Sequence, residues 1–470
     1  MIRQVSGVAT RPAALRIDFR QLLAWATTRR GMWTVWGITR AIMLVNLIIG
    51  QHYCDPQFYQ YAGDFAMGKL PYISVPVEYP PLGILLILLP ALPLLPFTGI
   101  APRPEAVADP LNPDPIRYGA YGISFGIFML ALDALTLMAV MRIARRWTAN
   151  DATGRMSGLI YILLGMASGA ILQKFDLAVG TLCLLAIAML IEHRAGWAWA
   201  FLALATLAKG YPLLLAPLFV IWMIYTNEWN RQTIRRALVG GGIASLIFIV
   251  PIMLASGIDP LLHSIMYHAD RGIEIESTWA SLMLLVGWIG GLGLSTGLSG
   301  SDLSLDIHSA LESPLALLAL PALIMLTLIA YFQFWRRLRV TQARFGAKLN
   351  GDEHSRQMMF TYLLHGVIAV TLIFLVTFRA FPAHYLLAVL PLVAVLRLPG
   401  QHDARWLSLL VAGMILGQLA VSFWIQIVAL DPGPSLLLIA RNVLLVGALV
   451  ALLRTPLLDL WKAPKKLQSG

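Results

Sequence analysis

The sequence predicts an all-α polytopic membrane protein of about twelve spans, with re-entrant or juxtamembrane helices on its outer face. Three observations predict it. Hydrophobic residues fill 58% of 470 positions and charged residues only 13%, with a mean hydropathy of +0.74. A soluble domain of this size needs more charge to cover its surface. The apolar residues come in runs near the roughly 20 positions that cross about 30 Å of hydrocarbon. The basic residues then sort to one side of those runs.

The elements follow in order. A basic segment, 1–31, ends at Arg29 and Arg30 and leads into an apolar run over 32–51. No short apolar core with a small-residue cleavage site appears, so this run is expected to remain as the first span. Further spans are predicted over 117–142, 155–173, 176–193, 196–208, 211–226, 234–256, 314–335, 357–379, 383–398, 404–430 and 434–454. Two apolar segments, 81–99 and 279–298, are left over. Kept on the outer side as re-entrant or interfacial helices, they leave 26 of the 35 Lys and Arg in cytoplasmic segments. Seven then fall in outer loops and two, Arg40 and Arg441, within spans. That is the positive-inside pattern with both termini cytoplasmic. Topology therefore accounts for the net charge of +11, and nucleic acid is not expected as a partner.

Both leftover segments have unusual composition. Residues 80–96 read PPLGILLILLPALPLLP, with prolines at both ends and in the middle; proline removes a backbone donor and breaks a helix, which at lipid depth needs cover from protein or water. Segment 279–298 leads into Gly-rich LGLSTGLSGSDLS, a loop composition. The chain is read as one domain over 1–470, with a first outer loop at 52–116, a second at 257–313 and a cytoplasmic tail at 455–470. Cys54 lies in a loop and Cys183 in an apolar run, so no bridge between them is expected.

Candidate chemistry concentrates in the outer loops. The first reads YCDPQFYQYAGDFAMGKLPYISVPVEYPPL from Tyr53 to Leu82 and offers Asp55, Asp64 and Glu78 among Tyr59, Tyr61, Tyr72 and Tyr79. A carboxylate at the junction of membrane and water can serve as a general base, since partial desolvation raises its pKa toward the working pH. The ordinary alternative is a solvated loop acid among interfacial aromatics. The second loop places His263, His268, Asp270, Arg271, Glu274 and Glu276 together. There Arg271 suits a phosphate through its planar fork, with His268 as a further donor; mutual pairing of Asp270, Arg271 and Glu274 is the alternative. His263 and His268 lack a third ligand, so no metal is expected.

Lys209, at the end of an apolar run before Gly-Tyr-Pro, and Lys174, beside Asp176, sit at outer ends of short spans. Each can neutralise a lipid phosphate or snorkel to ordinary headgroups, and Asp176 is available to pair with Lys174. TFRAFPAHY adds Arg379 and His384 on the same face. Arg40 and Asp133 fall at lipid depth, where charge is costly, and are expected to face each other in a structural pair. His365 and Arg441 are read similarly. The chain has no Walker loop or HExxH, and the short cytoplasmic loops leave no room for a nucleotide-sugar domain.

The pattern Asp55-x₃-Tyr59, Ala62, Gly68-x₂-Pro71-Tyr72, Glu78-Tyr79-Pro80-Pro81-Leu82 resembles the GT-C superfamily of membrane glycosyltransferases, and within it glycosyltransferase family 87. The resemblance implies transfer of a hexose, mannose by preference, from a polyprenyl-phosphate donor to a lipid or glycan acceptor with inversion. It implies a bacterial plasma-membrane enzyme acting on the extracytoplasmic face without a cofactor. Carried over residue by residue, Asp55 matches the acid that deprotonates the acceptor. Lys209, Arg271 and either Arg379 or His384 would hold the donor phosphate. Lys174, His268, Glu78 and Tyr79 complete the expected substrate surface. The first loop has no Asp-x-Asp pair, unlike metal-dependent oligosaccharyltransferases, and no large C-terminal outer domain follows. The alternative is a twelve-span secondary transporter or flippase for a lipid-linked sugar, which would place its charges near the midplane between repeats; no convincing repeat is found.

Overall fold

Apolar runs without competing polar groups close their backbone hydrogen bonds internally, and in this chain nearly all of them do so as helices. A computed structural model describes residues 19–50, 54–103, 115–148, 151–298, 305–345, 353–396 and 402–455. Six helices there are long and apolar enough to cross a membrane: Arg29–Ile49, Ile116–Trp147, Arg231–Ser256, Glu312–Ala343, Gln357–Thr377 and Pro432–Leu453. Between them run shorter apolar helices.

In chain order, α1 (Phe19–Ala26), α2 (Arg29–Ile49), α3 (Pro56–Ala66) and α4 (Pro81–Leu88) are followed by α5 (Pro115–Thr148), α6 (Asp151–Ser168), α7 (Asp176–Ile191) and α8 (Ala195–Ala208). After a 3₁₀ turn at Tyr211–Leu215 come α9 (Ala216–Tyr225), α10 (Arg231–Ser256), α11 (Asp259–Asp270) and α12 (Thr278–Gly290). A hairpin of β1 (Ser295–Leu298) and β2 (Leu305–His308) precedes α13 (Glu312–Phe345) and α14 (Glu353–Thr377). The 3₁₀ segment Ala383–Ala388 leads into α15 (Leu390–Val395), then α16 (His402–Val421), α17 (Trp424–Val428) and α18 (Pro432–Leu453).

The bundle is centred on α14, whose apolar stretch is 94% buried, whereas that of α10 is 11% buried and faces outward. Small residues set the close crossings. A Cβ on Gly240 of α10 would lie 2.0 Å from the Gly196 carbonyl of α8, and one on Gly180 of α7 would lie 2.2 Å from the Ala388 carbonyl. The pair expected between Arg40 and Asp133 forms, at 2.8 and 3.1 Å. Trp36 and Tyr161 also donate to Asp133, at 2.6 and 2.5 Å, so its four bonds tie α2, α5 and α6 together. Cys54 and Cys183 are both free and buried.

Both leftover segments depart from plain spans. Pro81 starts α4 at the first helical position, and Pro90 and Pro93 turn its continuation into the 3₁₀ segment Leu89–Leu94, where a missing N–H costs least. The segment at 279–298 is only partly helical. Gly291, with φ 64°, ends α12, and Ser295–Leu298 pairs antiparallel with Leu305–His308, Ser295 opposite His308. Glycine's freedom at positive φ and its poor helix propensity explain the stop.

The bundle has two chemically distinct ends. The start of α2, the end of α5 and the start of α6 bring Arg29, Arg142, Arg145 and Arg155 around one cavity. Contacts join the remaining arginine-rich turns to that end: Arg146 to Glu192 at 3.0 Å, Gly240 to Gly196, Trp147 stacked on Phe360 at 5.1 Å, and His365 to the Leu452 carbonyl at 2.8 Å. The opposite end holds α3, the breaks after α6 and α8, and the loops at 271–277 and 379–384. At 14 residues α8 is about 21 Å long. It stops short of the roughly 30 Å of a full crossing, so the loops at its end are recessed.

A recessed site of paired charges under aromatic rings

At this second end, Asp-Pro explains the local geometry of the first loop. Asp55 caps α3, accepting the Gln57 N–H at 3.1 Å, with Pro56 in the first helical position, as N-cap and N1 preferences dictate. The cap uses one carboxylate oxygen. The other is bonded by the Lys174 ammonium, the carboxylate being 23% and the lysine 17% exposed. A second ion pair stands beside the first: Lys209 binds Asp176 at 2.5 Å, both nearly buried. Its ammonium also lies 3.5 Å from the centroid of the Tyr385 ring, well within cation–π range.

Two expectations are corrected here. Asp176 does not pair with its sequence neighbour Lys174. The break between α6 and α7 turns Lys174 toward α3 and leaves Asp176, at the start of α7, for Lys209. Asp55 is also not a carboxylate raised by desolvation. Burial pushes it up, but the Lys174 charge and hydrogen bond, the Gln57 N–H and Lys209 together hold it below the usual range. It is therefore an ionised group at neutral pH. Burial likewise lowers Lys174, but Asp55 more than offsets this and its pKa is raised. For Lys209 burial wins over Asp176, and its pKa is lowered.

Glu78, Tyr79 and Arg271 form the second side of the site. A Cβ on Gly83 would meet the Ala208 carbonyl at 2.6 Å, so glycine there lets α4 press against the end of α8 and carries Tyr79 toward Lys209. The Tyr79 ring packs on Phe58 at 5.8 Å and Phe175 at 5.5 Å. Burial raises the Glu78 carboxyl, against a hydrogen bond from Tyr267 and the charge of Arg271. Arg271 faces Glu274 at 3.5 Å, and burial, only partly countered by Arg271 and reinforced by Glu276 and Asp306, lifts Glu274 to about 7.

The Arg379 guanidinium donates to the Arg271 carbonyl at 2.9 Å, and Glu274 N–H donates to the Arg379 carbonyl at 3.0 Å. Arg379 thus fastens the 271–274 loop. His384 stands beside Tyr385, edge to face at 5.0 Å. His268 falls within α11, but its side chain, like that of Asp270, lies outside the described residues, as does Tyr53. Asp64 is engaged by Lys69 at 3.0 Å, on the far side of α3 from the ion pairs.

The sequence reading missed Tyr385 and Tyr267, and read Arg441 as a structural charge without its partner. Arg441, fully buried, reaches the Glu276 carboxylate at 3.1 Å and the Glu276 and Phe381 carbonyls at 2.8 and 2.5 Å. Asn442 adds bonds to the Glu276 carbonyl at 3.1 Å and to Ser281 at 2.7 Å. One arginine therefore ties the 276 loop to the 381 loop. Its signal was present as a lone cation in an apolar run, but the partner, 165 positions away, was not.

A family model described as Glycosyltransferase family 87 matches residues 78–351, a range that begins at Glu78 and leaves Asp55 outside it. Among solved structures, the crystal structure of ArnT from Cupriavidus metallidurans bound to undecaprenyl phosphate is similar at 15% identity, covering 91% of this chain and 77% of that one, with a TM-score of 0.45. A comparison with curated proteins finds no match.

Proposed function

The chain belongs to glycosyltransferase family 87, and from that premise we propose that it moves a hexose, mannose by preference, from a polyprenyl-phosphate donor to a lipid or glycan acceptor on the extracytoplasmic face. The observation that carries the reading is the pair of adjacent ion pairs, Asp55 with Lys174 and Asp176 with Lys209, recessed at the end of helices shorter than the hydrocarbon is thick. A polyprenyl-phosphate donor needs a cation near the lipid for its phosphate and an ionised acid reachable from water. Both groups stand here together.

In this reading the acceptor hydroxyl donates its proton to Asp55 as its oxygen attacks the anomeric carbon. The new C–O bond forms as the bond from that carbon to the phosphate oxygen breaks, and polyprenyl phosphate leaves with the electron pair. Lys209 and Arg271 stabilise the charge growing on that phosphate, an electrostatic contribution that is strongest where water is excluded. Lys174 keeps Asp55 ionised and fixed. A depressed pKa makes Asp55 a weaker base but keeps it in the form that accepts a proton. Tyr385 and Tyr79 supply ring faces beside the sugar. One acid and one leaving-group clamp suffice for inversion in a single displacement.

Asp55→Asn tests the reading. The amide oxygen still caps α3, so folding is kept while the base is lost. Transfer of labelled sugar from polyprenyl-phosphate donor by purified protein is expected to fall by about 10²–10⁴. Full activity in that variant would remove Asp55 from the chemistry.

A further inference from the structure

The arginine-rich end holds a cavity that the transfer chemistry does not use. It has a volume of about 420 Å³ and lies between α2, α5 and α6, with Arg29, Arg142, Arg145 and Arg155 on its walls. Among the described residues that line it the single acid, Asp151, sits 3.6 Å from Arg145, and both are well exposed, a pairing worth little. Four guanidiniums thus face one carboxylate. The buried Nε–H of Arg155 bonds to no group among the described residues, whereas buried donors are ordinarily paired.

The floor of the cavity is apolar, formed by Met32, Trp33 and Met138, and Met138 is 41% exposed along the outer flank of α5. Glycines hold these helices close. A Cβ on Gly158 would sit 2.7 Å from the Met32 sulfur, and one on Gly154 would sit 2.9 Å from the Met141 carbonyl. Beside the mouth lies α1, which exposes Leu22, Leu23 and Trp25 and presses against α2, where a Cβ on Gly31 would meet the Trp25 carbonyl at 2.1 Å. A short helix with exposed leucine and tryptophan beside an arginine cluster is what lies in a membrane interface. The distance fits as well. From Arg29 to Ile49, α2 has 21 residues, about 30 Å, so the cavity and Asp55 stand roughly one hydrocarbon thickness apart.

We propose that this cavity binds the phosphate of an anionic membrane phospholipid, at the opposite membrane edge from the transfer site. The phosphate takes the charges of Arg142, Arg145 and Arg155, while an acyl chain descends along Met138. A soluble anion would satisfy the arginines but would leave the apolar floor without a partner. A zwitterionic headgroup would bring its own cation against four guanidiniums.

The test uses the full chain in detergent, with native mass spectrometry counting adducts of phosphatidylglycerol, phosphatidylcholine and, separately, inorganic phosphate. Phosphatidylglycerol is expected to be retained over phosphatidylcholine. The double variant Arg142→Gln, Arg155→Gln is expected to weaken that retention roughly thirty-fold, at about 1 kcal/mol per cation near the surface. Because losing two arginines can also perturb folding, Asp151→Asn is measured beside it. Removing the one opposing charge among the described lining residues is expected to strengthen retention. Equal retention of both lipids, or unchanged phosphatidylglycerol binding in these variants, overturns the site. Displacement of the lipid by inorganic phosphate alone assigns the cavity to a soluble anion and overturns the lipid assignment.

Discussion

Glu274, in the candidate site, is pushed up to about 7, and its environment explains why. Its carboxyl is buried beside Glu276 and Asp306, and only Arg271 and Arg441 oppose the resulting rise to about 7 from an ordinary 4.5. The sign of the linked stability follows. Between those values the folded chain holds a proton that the unfolded chain releases, so this stabilisation is complete below about 4.5 and is lost as pH rises through about 7. The unfolding temperature in detergent is expected to decline across that window, and Glu274→Gln to flatten the profile. The same titration governs Arg271. Below pH 7 its partner is neutral and the guanidinium is freer for a donor phosphate, so KM for the donor should fall on acidification, again not in Glu274→Gln. A KM with the same pH profile in both proteins would detach Glu274 from donor binding. At this scale the sequence exposed which charges stand beside apolar runs but not who meets whom. Asp55, Lys174 and Lys209 stand out because charge is rare beside apolar runs, yet Lys174 reaches an acid 119 positions away in preference to one two positions away. Its exchange of partners reversed the expected pKa of Asp55.

Helices place those side chains, and glycine decides how closely. Gly180 lets α7 touch the 3₁₀ segment that carries His384 and Tyr385, with no space for a side chain: its Cβ would lie 2.2 Å from the Ala388 carbonyl. Gly180→Val therefore has to push Tyr385 away from Lys209. A loss of about 1–3 kcal/mol is expected from overpacking, read as a lower unfolding temperature, together with weaker donor binding. Gly242 on α10 is the contrast, with nothing within 4 Å of its Cβ position, and Gly242→Ala should leave both readings unchanged. Equal effects from the two substitutions would mean that the contact does not hold the site. Periodless apolar runs, flanking charge and proline made the helices legible; α7 and α8 match 176–193 and 196–208 closely, whereas α13 runs ten residues past the end expected at 335. The hairpin did not show, because Ser295–Leu298 has no alternating pattern and its pairing with Leu305–His308 spans a Gly- and Ser-rich stretch. The 3₁₀ continuations at Tyr211–Leu215 and Ala383–Ala388 were likewise read as parts of spans, since composition there is as apolar as in a helix.

For the whole molecule, the grouping of arginines at one end and of the paired acids and lysines at the other gives the bundle a polarity that composition alone implied. The contacts of Arg146 with Glu192, of Gly240 with Gly196, and of Trp147 with Phe360 gather turns distant in sequence at a single end. We propose from the positive-inside rule that this end faces the cytoplasm; the paired charges at Asp55 and Lys209 would then face outward, away from the midplane where a carrier built from repeats would hold them. Single cysteines test the orientation directly. Ser74 is exposed in the first loop beyond α3, and Gln232 is exposed in the first turn of α10 at the arginine-rich end. Cys54 and Cys183 are buried, so the unaltered chain should give little background with a membrane-impermeant maleimide. Ser74→Cys is expected to label in intact spheroplasts, and Gln232→Cys only after permeabilisation. The reverse pattern would turn the bundle over. Asp55 and Lys209 would then meet the cytoplasm, and a donor presented from the outer leaflet could not reach them.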